Sequence, residues 1–202
     1  MSINPKNNVI YKTVFKEKDI VKRISDDKDF DLQEYYTKPE LYKSIFHQYI
    51  NRLTILMNCI YWDKQYPRLI TKEFMKDNYN CNTKLQVVGD ISVDINGAIE
   101  FTEKSTSPDQ PVFVYNNKSG EIIDGFVGKG IAVMAVDNLP CEVPKESSKA
   151  FSDSLIPFIP SIVKADFSVD FDDLKLPDEI KKAVILCNGK LTPDYQYINK
   201  FL

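Results

Sequence analysis

The sequence predicts an α/β fold built on a doubly wound parallel sheet. Three runs of apolar residues have the length of buried strands, at 53–61, 84–88 and 130–136. Nearly continuous apolar runs of this length suit parallel strands that are covered on both faces. Segments with helical spacing lie between and after these runs, so strands and helices alternate along the chain. This alternation is typical of parallel strands joined by right-handed crossovers.

The residues before the first run are predicted to hold one helix and little else. Residues 9–15 (VIYKTVF) could form a short strand, and the charged stretch 16–31 is interpreted as a surface loop. Thr37 and Glu40 match a capping box, and a stripe at spacing four predicts a helix over residues 39–52. His47, the only histidine, lies off that stripe and is interpreted as a surface side chain rather than a base.

The middle of the chain is predicted to form a helix and then an excursion from the sheet. Thr71 can cap a short helix that turns Phe74 and Met75 inward. Residues 102–130 are rich in turn-forming residues, with short β-like runs at 112–115 and 121–123. Two such runs separated by a turn predict a hairpin.

The C-terminal part is predicted to be helical. A helix is expected over 145–155, and Pro157 and Pro160 should kink it or break it into two pieces. Pro177 is placed to open another helix and Gly189 to end it. A last short helix is expected to begin after Thr192.

Composition excludes several classes of partner. The chain has 202 residues, a net charge of -3 and a pI near 5.3, which argue against nucleic acid and anionic membranes as partners. It contains no apolar run of the roughly 20 residues that cross a bilayer and begins with no secretory signal pattern. The four cysteines are scattered, which predicts a soluble protein in a reducing compartment, buried thiols and no metal site.

Polar residues follow each of the three predicted strands. These strand exits lie at 58–62, at 89–94 and at Asp137 with Asn138. In a doubly wound sheet such exits form one crevice, where amides and carboxylates can bind a ribose or a carboxamide. The chain contains no GxGxxG and no GxxxxGK[ST] pattern, so no phosphate-binding loop is recognised. Acidic residues in a solvated turn are the alternative interpretation.

Three ordered motifs carry a family resemblance. They are YW…PRLIT at 61–71, GDISVD…GAIEF at 89–101 and AVDNLPCEVP at 135–144. Together they resemble the lysine–ketoglutarate reductase part of bifunctional aminoadipate semialdehyde synthase. More distantly, the chain is similar to yeast-type saccharopine dehydrogenase, alanine dehydrogenase and the transhydrogenase nucleotide domain. The resemblance runs from about residue 9 to residue 202.

The resemblance implies a fold, a reaction and partners. The fold is the second half of a Rossmann-like sheet, with an irregular segment at 1–36, a partial nucleotide-binding domain at 37–165 and C-terminal helices at 166–202 that return to another domain. The reaction is the reductive condensation of L-lysine with 2-oxoglutarate to saccharopine, with NADPH as cofactor and NADH as the alternative. The family location is mitochondrial or cytoplasmic, and a homo-oligomer is possible.

The resemblance also assigns the site residues. Catalytic roles fall on Asp94 and Asp137. Cofactor contacts fall on Asn58, Cys59, Ile60, Tyr61, Asp90, Asn138 and Leu139. Arg68 follows the first of these loops, and it either serves the site directly or anchors the loop through an ion pair.

Two hypotheses about function remain open. In the family, the glycine-rich pyrophosphate loop and the substrate domain precede the part matched here. The chain is therefore either an incomplete oxidoreductase module that needs an N-terminal half, or a non-catalytic remnant that keeps the fold for binding or assembly.

Overall fold

A computed structural model describes residues 8–25, 28–80 and 83–202. The chain divides into two compact units, one up to Glu142 and one from Val143 onward. Cys81, one of the predicted buried thiols, lies outside the described residues. Of the other three cysteines, Cys59 and Cys141 are exposed and Cys187 is half-buried, so the prediction of mostly buried thiols is wrong for them.

The described residues of the first unit form short helices and seven strands. The helices are α1 (Glu17–Ile20), α2 (Leu32–Thr37), α3 (His47–Ile50) and α4 (Lys72–Asn78), with single 3₁₀ turns at Pro39–Leu41 and Leu139–Glu142. The strands are β1 (Val21–Arg23), β2 (Tyr42–Ser44), β3 (Ile55–Asn58), β4 (Val87–Asp90), β5 (Val112–Tyr115), β6 (Ile122–Asp124) and β7 (Ile131–Met134).

Five of these strands form the main sheet, in the order β3-β4-β7-β5-β6. β3, β4 and β7 run parallel, so the predicted parallel sheet is confirmed. The excursion after β4 returns as the antiparallel hairpin β5–β6, which pairs with β7 and confirms the predicted hairpin. The three parallel strands therefore end at the same edge of the sheet, called the carboxyl edge below.

The hydrophobic core covers one face of this sheet. Val88 of β4, Phe113 of β5 and Val133 of β7 lie side by side in register and have no exposed surface. Met75 belongs to the same buried cluster, and Thr71 caps its helix α4 by accepting a hydrogen bond from the Phe74 amide, as predicted. Local capping and tertiary burial agree here, which fixes α4 over the core.

The strand β3 differs from its prediction as a central strand buried on both faces. It lies at the end of the sheet order, and its residues alternate between buried and exposed. Ile55 is 58% and Met57 54% exposed, whereas Leu56 and Asn58 are buried. A continuous apolar run does not distinguish an edge strand from a central one, because both satisfy the same pattern.

The predicted helix over residues 39–52 is wrong. This segment forms a 3₁₀ turn, then β2 and then α3. β2 pairs antiparallel with β1, and both lie in the stretch read as helix or as surface loop. The predicted stripe was Leu41, Ile45, Tyr49 and Leu53, whereas the buried residues are Pro39, Tyr42, Phe46 and Ile50. The pairing of β2 with β1 provides hydrogen-bond partners for the backbone here, and it overrides the local helical pattern.

The N-terminal stretch also differs from its prediction. No strand forms over the described residues 9–15, while the supposed loop at 16–31 contains α1 and β1. Ile20 and Val21 are buried in the core of the first unit. The charged residues around Ile20 and Val21 led to the prediction of a surface loop, although these two residues anchor the segment in the core.

The second unit contains α5 (Pro144–Leu155), α6 (Ile159–Lys164) and α7 (Asp178–Lys182) with the hairpin β8 (Leu186–Cys187) and β9 (Lys190–Leu191). The 3₁₀ turn Ile156–Phe158 separates α5 from α6, which confirms the predicted break, and a longer 3₁₀ helix spans Pro193–Phe201. Gly189 has φ of +75° and makes the β8–β9 turn, so its prediction as a helix end is wrong. Glycine suits this turn because it adopts positive φ without strain.

The core predicts the response to truncation on α4. Met75→Ala should lower the free energy of unfolding by about 2–5 kcal/mol, because it leaves a cavity in a fully buried site. Lys76→Ala, at an exposed position of the same helix, should change it by less than about 0.5 kcal/mol. Urea unfolding of the full chain measures both. Equal effects of the two substitutions would contradict the placement of Met75 in the core.

Candidate functional site

The ends of β3 and β4 bring two of the predicted strand exits together. Asn58 and Asp90 are register partners at the carboxyl edge. The Ile91 amide donates to the Asn58 carbonyl at 2.8 Å, and the Ser92 hydroxyl donates to the Ile60 carbonyl at 2.5 Å. The two exit loops are thus joined beyond the end of the ladder.

Asp90 is the centre of a buried hydrogen-bond network. Its Oδ1 accepts from Asn58 Nδ2 at 2.9 Å and from the Val93 amide at 3.3 Å, and its Oδ2 accepts from the Thr102 hydroxyl at 2.6 Å. Asn58, Asp90 and Thr102 are all buried. Each of these bonds is accepted by the carboxyl group, so both of its oxygens have donors. Asn58 Oδ1 is buried without a hydrogen-bond partner among the described residues.

Asp94 lies on a tight turn that follows this network. Val93 has φ of +53° and Asn96 φ of +52°, both in the left-handed region. The Gly97 amide donates to the Asp94 carbonyl at 2.8 Å. A Cβ on Gly97 would lie 2.4 Å from Cβ of Asp94, so only glycine fits. Left-handed backbone at a β-branched residue is a strained conformation that the surrounding structure must hold.

Electrostatics give Asp94 an altered acidity. Burial is the main cause that raises the pKa of Asp94, and the negative charge of Asp90 raises it further. A raised pKa keeps a proton on the carboxyl group to higher pH than usual, which is a property of general acids and bases.

Tyr61 shares this electrostatic neighbourhood. The pKa of Tyr61 is raised chiefly by the charge of Asp63, with smaller contributions that include the charge of Asp94. Its ring is 79% exposed at the carboxyl edge. An exposed aromatic ring beside a carboxyl group offers a flat apolar surface next to a proton donor or acceptor.

Arg68 anchors the turn of Asp94. Its Nε donates to the Gly97 carbonyl at 3.2 Å and its Nη2 to the Asn96 carbonyl at 3.0 Å. Its guanidinium also lies over the Trp62 ring, and its Nε is 3.7 Å from Oε1 of Glu100. Of the two roles left open by the sequence, these contacts support anchoring.

The helix α4 is tied to the same loop. The Lys72 amide donates to Glu100 Oε2 at 2.8 Å, and Lys72 Nζ donates to Asn96 Oδ1 at 2.8 Å. Lys72 Nζ also pairs with Glu103 at 2.6 Å. The loop from β4 is therefore held from three sides, by β3, by Arg68 and by α4.

The remaining predicted residues are less tightly gathered. Asp137 and Asn138 follow β7 at the carboxyl edge and are exposed, while Leu139 begins the 3₁₀ turn after them. Within the described residues, the side chains of Asp137 and Asn138 make no hydrogen bond to Asp94 or Asn58. Cys59 is exposed between Asn58 and Ile60.

Sequence reasoning missed Thr102 and Ser92. Each contributes a hydroxyl that ties the loop of Asp94 to a neighbouring element. Thr102 closes a bond to a residue twelve positions earlier, and no motif spacing signals such a contact. Ser92 stands inside the GDISVD motif, but its partner is the backbone carbonyl of Ile60 in the loop that follows β3.

The two depressions found in the described part of the chain both lie in the second unit, away from these residues. A depression of about 490 Å³ lies in the second unit, lined by residues between Ser161 and Lys175, and includes none of the predicted site residues. Among the described residues no cluster of side chains could hold a metal ion. No described helix is both long and apolar enough to cross a membrane. The carboxyl edge, where the predicted site residues lie, is thus an open surface.

A parallel sheet with amide and carboxyl groups at its carboxyl edge defines a Rossmann-like α/β domain. Residues 43–194 match the family described as alanine dehydrogenase/PNT, C-terminal domain. The chain therefore belongs to the alanine dehydrogenase/PNT C-terminal domain family, and the resemblance seen in the motifs is confirmed.

Three similar proteins indicate where in the family the chain falls. It is 36% identical over 190 residues to alpha-aminoadipic semialdehyde synthase of Arabidopsis thaliana, covering 94% of this chain and 17% of that protein. It is 32% identical over 186 residues to the mitochondrial mouse protein of the same name, covering 85% of this chain and 20% of that protein.

The third similar protein is the fission yeast (Schizosaccharomyces pombe) saccharopine dehydrogenase [NAD(+), L-lysine-forming]. The chain is 31% identical to it over 123 residues, covering 58% of this chain and 30% of that protein. The chain thus spans less than a third of the length of each of these relatives.

The charge of Asp90 should be measurable at Asp94. Asp90→Asn should lower the pKa of Asp94, because it removes the nearby negative charge while burial remains. Titration of the Asp94 carboxyl carbon by NMR in the full chain measures this. Asp63→Asn is the matched control, and it should lower the pKa of Tyr61 and leave that of Asp94 unchanged. If the pKa of Asp94 is unchanged in Asp90→Asn, the charge of Asp90 does not influence Asp94.

Asp94 should also make stability depend on pH. Its raised pKa means that the folded chain binds more protons than the unfolded chain, so its contribution to stability is lost as pH rises through that range. Asp94→Asn should therefore stabilise the chain above this range and leave it unchanged in acid, where both states are protonated.

Unfolding by denaturant between about pH 3 and 7 measures the effect. Asp166→Asn should behave in the opposite sense, because hydrogen bonds from Ser168 lower the pKa of Asp166. A stability difference at Asp94 that grows in acid would contradict the assigned shift.

Proposed function

We propose that the chain forms the nicotinamide side of a reductase that condenses L-lysine with 2-oxoglutarate to saccharopine, with NADPH as cofactor and NADH as the alternative. The observation that carries the proposal is the position of Asp94, whose pKa is raised, at the carboxyl edge, where its charge acts on the pKa of the exposed Tyr61. Family membership and the names of the relatives support the substrate class.

The residues present fit the nicotinamide end of a dinucleotide. Tyr61 offers an exposed ring against which a nicotinamide could pack, and the exposed Asn138 offers an amide for its carboxamide. Cys59, Ile60 and Leu139 complete the proposed contacts. The sequence has no glycine-rich loop for the pyrophosphate, so the proposal places that group on another part of the enzyme.

Asn58 and Asp90 enter the proposal as supports rather than direct contacts. Both are buried, and the Asp90 carboxylate is already bound to three donors. The buried Asn58 Oδ1 without a partner is a remaining acceptor at the same edge. A small shift of the exit loops, or a bridging water, would connect it to a ribose hydroxyl.

The cofactor would supply the hydride that reduces the imine carbon. In the proposed mechanism, Asp94 holds a proton on its carboxyl and gives it to the hydroxyl that leaves as water when the amine and ketone form the imine. Burial and the charge of Asp90 keep this proton available at higher pH than usual. Asp137, exposed after β7, is the second proposed catalytic carboxylate.

A non-catalytic role in binding or assembly is the second candidate. The absence of a recognisable pyrophosphate loop from the sequence favours it, since hydride transfer needs a firmly held cofactor. A mitochondrial location belongs to the first proposal, because the name of the mouse relative includes that word, and a homo-oligomer is a further part of the same proposal.

Turnover by a chimera separates the two candidates. The chain replaces the matching 190-residue segment of the Arabidopsis relative, and oxidation of NADPH or NADH is followed with lysine and 2-oxoglutarate. The first proposal predicts oxidation that needs both substrates. Asp94→Ala should lower kcat by about 10²–10⁴-fold. Glu73→Ala, on the exposed side of α4, should leave it unchanged.

Each failure has a distinct meaning. A folded, inactive chimera beside an active parent protein would favour the non-catalytic role. An active chimera that tolerates Asp94→Ala would remove Asp94 from the mechanism and leave the family reaction in place.

A further inference from the structure

Thr102 is tied to the loop of Asp94 at several points. It is fully buried, its hydroxyl donates to Asp90 Oδ2 at 2.6 Å, and its carbonyl accepts from the Asn96 amide at 2.9 Å. The preceding Phe101 is also buried, and its ring stacks on Tyr115 of β5 with centroids 5.1 Å apart. Thr102 is thus anchored to the sheet and reaches back to both ends of the loop.

The bond from Thr102 fixes the orientation of the Asp90 carboxylate, which in turn contacts the loop of Asp94. A carboxylate is planar, and its terminal torsion is otherwise broad and roughly two-fold. Because the Thr102 hydroxyl fixes Oδ2, the direction of Oδ1 is fixed as well, toward Asn58 Nδ2 and the Val93 amide. Without the hydroxyl, the carboxylate could turn away from either donor.

Val93 needs such a restraint. A valine with φ of +53° is strained, and it keeps that conformation only where neighbouring bonds enforce it. The bond from its amide to Asp90 acts directly on this residue, and the bond from Gly97 to the Asp94 carbonyl closes the turn on the other side.

We propose that Thr102 is a positioning residue, which holds the Asp90 carboxylate so that the carboxylate locks Val93 in its left-handed conformation and thereby fixes the direction of Asp94. Among the described residues Thr102 makes no hydrogen bond to Asp94, so it acts through the network and takes no part in proton transfer. The inference rests on the proposed function only where it concerns turnover, and the conformational part stands by itself.

The conformational part is tested by NMR on the full chain. Thr102→Val keeps the shape of the side chain and removes the hydroxyl. It should speed hydrogen exchange of the Val93 amide by about tenfold and shift the Val93 couplings away from positive φ. Exchange at Val133, in the central strand β7, should stay within about twofold. Thr102→Ser keeps the hydroxyl and should restore the exchange of Val93.

Several results would overturn the inference. An unchanged Val93 in Thr102→Val would do so, as would a Thr102→Ser variant as altered as Thr102→Val, since bulk rather than the hydroxyl would then matter. If Thr102→Val fails to fold, the hydroxyl proton of Thr102 in the wild-type chain decides the matter. It must be visible by NMR through slow exchange, and its absence contradicts the bond to Asp90.

Turnover of the chimera distinguishes this inference from the proposed function. Thr102→Val should lower kcat by about tenfold with KM unchanged, because substrate binding is kept while the proton donor is misdirected. Thr102→Ser should recover most of this loss. If Val93 responds as expected and kcat does not, the positioning role stands and the catalytic role of Asp94 fails.

Discussion

Asp90 has no exposed surface, yet its carboxylate accepts hydrogen bonds from a side-chain amide, a backbone amide and a hydroxyl. A buried carboxylate is unfavourable unless such donors surround it, so the network and the position of β4 depend on one another. The bond from Asn58 joins β4 to the edge strand β3, and the bond from Thr102 closes the loop that carries Asp94. The arrangement of β3, β4 and the loop of Asp94 at the carboxyl edge therefore depends on the Asp90 carboxylate.

This constraint explains how a chain with an open edge strand still presents an ordered site. β3 has one exposed face and no further strand beside it in the described sheet. The loop of Asp94 nevertheless does not rely on a lid or a pocket, because Arg68, Lys72 and Thr102 hold it from its own side of the sheet. The chain therefore supplies one preformed side of the proposed nicotinamide site. The proposal assigns the opposite side of that site to the rest of the enzyme.

The sequence predicted the elements that local chemistry determines. Thr71 and its helix, the hairpin of β5 and β6 and the break after α5 depend on capping, turns and proline, which act over a few residues. The pairing of β1 with β2 joins residues 19 to 23 positions apart, so a local helical pattern was mistaken for a helix. The edge location of Asp90 was predictable from the strand exit, but its burial and its bond to Thr102 were not. Both arise only when the loop folds back on the sheet.

Hydrogen exchange of the Asn58 side-chain amide reports on the buried network around Asp90. In the full chain at neutral pH, the bond to Asp90 and burial should slow exchange of these protons by at least about tenfold relative to the exposed amide of Asn51. Asp90→Leu, which removes the acceptor, should abolish this difference or unfold the first unit. Exchange at Asn58 as fast as at Asn51 in the wild-type chain would contradict the account, because the buried network would then not exist.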